Sequence, residues 1–136
     1  MAGTVIVDAG FLIALLNRRD SHHRWAVAQS PQLPPPWRTC DAVLSEAFHL
    51  LGRLGAPALS ALLRRRALVS EFSSRTELEP VLRVMRKYAN VPMSFADACL
   101  VRMTEMLSEP VLLTTDSDFA VYRRHGRQVI PTIVPG

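Results

Sequence analysis

Lysine and cysteine are nearly missing from this chain: among 136 residues there is one lysine, Lys87, and two cysteines, Cys40 and Cys99. Each cysteine stands in an apolar segment without a second Cys or His at metal-ligand spacing. That excludes a structural zinc site and any disulfide framework. Both are expected to be small buried hydrophobes of a protein kept in a reducing compartment. Long apolar runs are missing too. The stretch from Thr4 to Leu16 is broken by Asp8 and followed by Arg18, Arg19 and Asp20. It has no basic stretch before it and no small-residue cleavage site after it, so neither a signal peptide nor a membrane span is expected. A soluble cytoplasmic protein follows. Repeats and low-complexity segments are absent, and the length suits one domain over residues 1–136.

What is present is a globular composition, 49% apolar and 21% charged, able to bury a core. The net charge of +4 is carried almost wholly by arginine. Arginine forks match phosphate oxygens, so the surplus suits a polyanion such as nucleic acid or an acidic partner.

Val5-Ile6-Val7 reads as a short strand ending at Asp8, and Gly10 to Asn17 carries a helical apolar stripe. Ser21 to Gln29 is a further helix, ended by Pro31 and the Pro34-Pro35-Pro36 cluster, which force an extended approach to Trp37-Arg38-Thr39. An amphipathic helix is expected from Asp41 to Leu54, then a glycine-containing turn, then a helix from Ala56 to Arg66. Leu68 to Phe72 alternates as a strand. Thr76 to Tyr88 forms a helix with Thr76 and Glu79 in capping-box register, and Ser94 to Leu107 another, with Ser94 and Asp97 in the same register. Val111 to Thr114 is a strand, Asp116 to His125 a helix stopped by Gly126, and Gln128 to Ile133 a last strand interrupted by Pro131. Alternating strands and helices predict an α/β fold: a central, mainly parallel sheet of about four or five strands flanked by helices in three layers.

In such sheets function collects at the carboxyl ends of the strands. Asp8 and Asp116 stand there by sequence alone. Glu46, three residues after Val43 and four before Leu50, borders the stripe Val43, Ala47, Leu50, Leu54. Asp97 shares a face with Leu100, Val101 and Thr104. An isolated buried carboxylate costs several kcal/mol unless it is paired or metal-bound. Several converging acids make this worse, since unit charges 4 Å apart repel by about 4 kcal/mol at an effective dielectric of 20. A divalent cation removes the difficulty, and an all-oxygen donor set selects Mg²⁺ or Mn²⁺ over zinc. Singly, each acid has a plainer role: Asp97 completing a capping box with Ser94, Asp118 standing in that relation to Thr115, Asp8 and Asp116 capping, Glu46 solvated.

The segments "VIVDAGFLIALLN", "TCDAVLSEAFHLL", "PMSFADACLV" and "LLTTDSDFAVYR" resemble, in order over nearly the whole chain, the acidic motifs of PIN-domain proteins, specifically the VapC-like toxins of toxin-antitoxin pairs. The resemblance implies a PIN-like fold, divalent-metal-dependent ribonuclease activity, dimerisation, and inhibition by a small antitoxin. Carried over, Asp8, Glu46, Asp97 and Asp116 form a pocket for Mg²⁺ or Mn²⁺, Asp118 matches a variable further acid, and Thr114 matches a hydroxyl beside the pocket. Ala9 stands where such proteins usually carry Thr or Ser, and Gly10 fits the small residue that follows.

The chemistry implied is in-line hydrolysis of an RNA phosphodiester, with Asp8 and Asp116 as direct metal ligands. Arg64 to Arg66, Arg83 with Arg86 and Lys87, and Arg123, Arg124 and Arg127 could grip the backbone, Arg123 and Arg124 most of all because they follow Asp116 on the expected helix. His22 and His23 have no partner at helical spacing and read as structural, and Trp25 and Trp37 as core or interface. A dehalogenase-type phosphatase needs a second Asp where Gly10 stands, and a receiver domain needs a lysine near its last strands. The alternative is a PIN-like module that binds RNA or protein without cleaving it.

Overall fold

The computed structural model describes residues 3–136. Four β-branched or apolar residues, Thr4–Val7, form β1, and its neighbours are set by burial on both faces: Ile6 and Val7 have no exposed surface. Such two-sided burial is what a parallel strand covered by helices requires. Around it stand β2 (Trp37–Cys40), β3 (Leu68–Phe72), β4 (Pro110–Leu113) and the short β7 (Thr132–Ile133), in the order β3-β2-β1-β4-β7. Every pairing in this five-stranded sheet is parallel, so the expected architecture is borne out.

The strand order places the chain's reversal of direction between β1 and β4. From β1 the chain builds outward through β2 and β3, then returns to lay β4 on the other side of β1. Val7 is in register with Leu113, so the residues that follow, Asp8 and Thr114, leave the sheet side by side. A crevice at such a switch point is where open parallel sheets bind ligands.

Helices α1 (Ala9–Leu16), α2 (His23–Gln29), α3 (Asp41–Arg64), α4 (Leu78–Lys87) and α5 (Phe95–Met106) flank the sheet. Phe11 and Leu12 of α1 are fully buried, each contributing about 1.5–3 kcal/mol relative to exposure. Phe11 lies edge-on to Trp25 and Trp37 at 5.7 and 5.5 Å, which puts both tryptophans in or against the core. Gly10 admits the loop after β4, since a Cβ there would stand 2.1 Å from the Thr115 hydroxyl. Cys40 and Cys99 are buried and free, as expected.

Several expectations are corrected. The break in the long helix falls at Gly52, whose φ of +65° only glycine adopts without strain, and not after Leu54. The stripe Val43, Ala47, Leu50, Leu54 is not buried along its length: Val43 and Ala47 are buried, Leu50 is exposed although it precedes the break, and Leu54 beyond the break is exposed as well. The Thr76/Glu79 capping box does not form. Pro80, lacking an N–H, is tolerated in a helix only within the first turn, and α4 accordingly starts at Leu78, with Thr76 in the preceding turn. The helix expected from Asp116 to His125 is a single 3-10 turn, Ser117–Ala120, followed by a hairpin of β5 (Arg123–Arg124) and β6 (Gln128–Val129). His125 and Gly126 at φ +52° and +77° reverse the chain there. The strand expected from Gln128 to Ile133 is thus split by Pro131 between the hairpin and the main sheet. Among the described residues no helix is long and apolar enough to cross a membrane.

Candidate active site

Asp8 ends β1 and caps α1. Its Oδ1 accepts the Ala9 N–H at 2.6 Å and its Oδ2 accepts the Thr114 hydroxyl at 2.8 Å. The Thr114 oxygen in turn accepts the Asp116 N–H at 2.9 Å, and Asp116 Oδ1 accepts the Asp118 N–H at 2.9 Å. One chain of hydrogen bonds therefore joins the ends of the two central strands. Thr114, fully buried, is the piece that couples Asp8 to Asp116. A second hydroxyl braces the same corner: Thr39 of β2 donates to the carbonyl of Val7 at 2.9 Å.

The electrostatic cost is concentrated on Asp8, which is 8% exposed. Burial pushes its carboxyl up to about 6 against the opposing hydrogen bonds from Thr114 and Ala9, and the negative charges of Asp97 and Glu46 push the same way. Both of those acids therefore lie near enough for their charge to reach Asp8.

Asp97 comes from the first turn of α5. The capping box is present in both directions: Ser94 Oγ accepts the Asp97 N–H at 3.0 Å, and Asp97 Oδ2 accepts the Ser94 N–H at 3.3 Å. The same Oδ2 accepts the Tyr122 hydroxyl at 3.4 Å. Burial raises the Asp97 carboxyl against the Ser94 backbone bond, and the Asp116 charge adds to the rise. Oδ1 of Asp97 and Oδ2 of Asp116 accept no hydrogen bond among the described residues. Capping and facing the site are thus compatible, because one oxygen serves each.

Glu46 is exposed on α3, so its place beside an apolar stripe does not bury it. Asp118 is exposed as well. Arg123 and Arg124 do not follow Asp116 on a helix. Arg123 Nη1 donates to the carbonyls of Ala120, Val121 and Tyr122, and Arg124 Nε to the carbonyl of Thr104 at 3.0 Å. His23 bonds the Ala14 carbonyl at 2.7 Å, a structural role. His22, read as structural from its spacing, lines a cleft of about 270 Å³ together with Thr115, Asp116, Ser117 and Phe119.

Sequence reasoning missed Tyr122. It is fully buried, edge-on to Tyr88 at 5.1 Å and Phe119 at 5.2 Å. Burial first, then the charges of Asp97, Asp118 and Asp116, push its hydroxyl up, so it remains a donor to Asp97. No sequence signal marks it, since the contact spans 25 residues.

The donor set at this corner is all oxygen, which fits a hard divalent cation. Among the described residues no three His, Cys, Asp or Glu side chains close into a finished metal cage. The arrangement is an acidic corner with free oxygens on separate elements rather than a closed site.

The family model described as PIN domain matches residues 5–124. None of the curated proteins matches the sequence. Among solved structures, VapC20 of Mycobacterium tuberculosis, a sarcin-ricin loop cleaving toxin, matches with a TM-score of 0.71 over 87% of this chain and 94% of that one, at 23% identity. At that identity the likeness concerns the fold.

Proposed function

Since its match to the family model spans residues 5–124, the chain belongs to the PIN-domain family, and we propose that it is a metal-dependent ribonuclease, the toxin of a toxin-antitoxin pair, working as a single domain in the cytoplasm. The observation that carries this reading is the hydrogen-bonded line from Asp8 through Thr114 to Asp116 across adjacent parallel strands, with Asp97 facing it. Glu46, Asp97 and Asp116 near a buried Asp8 are costly alone and useful around a cation.

Asp8, Asp97 and Asp116 would hold Mg²⁺ or Mn²⁺ directly, while Glu46 and Asp118, both exposed, would complete its surroundings and orient water and substrate. The ion, when bound, lowers the pKa of a water and stabilises the charge that develops on the attacking and leaving oxygens. Thr114 fixes the Asp8 carboxylate, and Tyr122 fixes one oxygen of Asp97 while leaving Oδ1 to accept from water. Among the described residues no accessible hydroxyl or thiol at this corner is paired with a base that would make it a covalent nucleophile, so hydrolysis is a single in-line displacement leaving a 5′-phosphate and a 3′-hydroxyl. The hydroxyl that Ala9 lacks after the first acid is compensated in part by Thr114, which holds Asp8 from the neighbouring strand. A cognate antitoxin and a second copy of this chain are the protein partners of this reading, and exposed Leu50 and Leu54 give them apolar surface.

RNA cleavage across a Mg²⁺ or Mn²⁺ titration, wild type against Asp97→Asn, tests the proposal. Asn keeps an oxygen for the Ser94 N–H and loses the charge, so cleavage is expected to vanish with folding intact. An unaltered rate in Asp97→Asn removes the site assignment. Metal-independent RNA binding without cleavage by the wild type favours a non-cleaving binding module, and a cyclic 2′,3′-phosphate on end-labelled product rejects the in-line mechanism.

A further inference from the structure

A polyanion cannot approach an acidic corner unaided, and the cations that would bring it there are found beside the corner. Between α4, α5 and the β5/β6 hairpin lies a groove of about 360 Å³ lined by Arg83, Lys87, Tyr88, Arg102, Arg123 and His125, with Glu105 as its one acid. Four arginine or lysine side chains against one carboxylate is a dense share of a chain whose whole net charge is +4.

These cations are not equally free. Arg102 is neutralised by Glu77 at 2.9 Å and Glu105 at 3.2 Å. Arg123 spends Nη1 on backbone carbonyls, which holds the guanidinium in place with its remaining donors uncommitted. Lys87 donates to the Gly126 carbonyl and stands 5.7 Å from the Tyr88 ring, and an ammonium so tethered still has donors to spare. Arg83, one turn before Lys87 on α4, is exposed and makes no ion pair among the described residues. Arg83 and Lys87 are therefore the available charges, and Arg102 and Arg123 the fixed wall behind them.

The wall of the groove is linked to the acids through two buried tyrosines. Tyr88 accepts the Arg123 N–H through its hydroxyl at 2.8 Å and packs on Tyr122, which donates to Asp97. We propose that this groove is a phosphate track that holds the backbone of single-stranded RNA on one side of the scissile bond, with Arg83 and Lys87 as its principal contacts. The inference rests on the ribonuclease reading and adds to it where the substrate strand lies. RNA, rather than an acidic peptide, suits the groove because Tyr88 of its wall packs on Tyr122, which bonds Asp97 of the corner that would cut a phosphodiester. The wall also redirects the expectation from sequence: Arg123 serves from the hairpin and α4 supplies the free charge.

The test uses the cleavage-silent Asp97→Asn protein with Mg²⁺ and a fluorescein-labelled single-stranded RNA, following Kd against NaCl concentration. Each lost phosphate contact is expected to reduce the slope of log K against log salt by about 0.7, so Arg83→Ala/Lys87→Ala reduces it by about 1.4. Arg83→Lys keeps the slope, and the charge-matched Arg18→Ala/Arg19→Ala control, beyond the far end of α1, leaves it unchanged. In cleavage-competent protein the double variant raises KM by more than it lowers kcat. Cleavage by the wild type combined with an unchanged slope in the double variant overturns the track alone. So does a groove variant that loses an acidic peptide while holding RNA as before. Absence of any cleavage or RNA binding by the wild type overturns the ribonuclease reading and the track with it.

Discussion

The two halves of the acidic corner are built differently. Asp8 and Asp116 follow adjacent strands and are tied through Thr114, with Asp8 and Thr114 buried and Asp116 half-buried. Asp97 and Glu46 arrive on helices, the first half-buried and doubling as a cap, the second open to solvent. The strand half fixes position at the expense of stability, because a buried carboxylate is held there near others. The helix half supplies charge at little cost and leaves free oxygens. A cation bound here would gain from both: fixed oxygens to define the place and accessible ones to close around it.

Asp8→Asn breaks this contrast most strongly. Cleavage is expected to fall about 100- to 1,000-fold, equivalent to roughly 3–4 kcal/mol of transition-state stabilisation. Stability in chelator at pH 8, from urea melts, moves the other way, rising by about 1–2 kcal/mol as the burial cost disappears and part of the Thr114 bond is lost. The pH profile separates the two effects. Asp8 in the folded protein is pushed up to about 6 from 3.8, so the folded state holds a proton that the unfolded chain releases. Its contribution to stability is complete below the unfolded value and is lost as pH rises through the folded one, about 3 kcal/mol in all and most of it between pH 4 and 7. The metal-free wild type should show this fall and Asp8→Asn should lack that part of it. A wild-type profile that rises over the interval would reject the burial argument.

Thr114→Val tests whether the coupling matters as well as the acids. It removes the donor to Asp8 and the acceptor for the Asp116 N–H, with an expected loss of about 1–3 kcal/mol in stability. Metal affinity, measured by calorimetry, should weaken about tenfold or more, as is usual for partners that orient ligands. Equal affinity in the variant would make Asp8 and Asp116 independent ligands.

The smallest effect comes from the helix half. Ser94→Ala removes the cap acceptor of α5 and should cost about 1 kcal/mol in thermal melts, with cleavage changed only a fewfold. A collapse of activity equal to that of Asp97→Asn would mean that Asp97 depends on its cap for its place in the site, and the contrast between fixed and open halves would narrow.

The strand ends were legible because β1 and β4 are short, apolar and each followed directly by an acid or a hydroxyl, and a parallel sheet leaves such residues at one edge. Ser94 and Asp97 were legible because a capping box is local. What failed was where local rules compete with distant packing. "DSDFAVYRRHG" has the look of a helix, yet Phe119 and Tyr122 bury themselves against Tyr88 and α5, and the chain leaves after one turn for a hairpin. Leu50 and Leu54 read as core, but both are exposed, and Gly52 breaks the helix between them.

By itself the sequence determined the α/β class, the strand-end acids and the oxygen atoms they offer, because periodicity, turn residues and residue type are local properties. Tertiary structure alone decided that Thr114 bonds Asp8 across 106 residues of chain, that Tyr122 reaches Asp97, and that Arg83 and Lys87 of α4 share a groove with Arg123. Those contacts follow from the strand order and from which side chains the core has room to bury, and neither quantity is carried by any one segment.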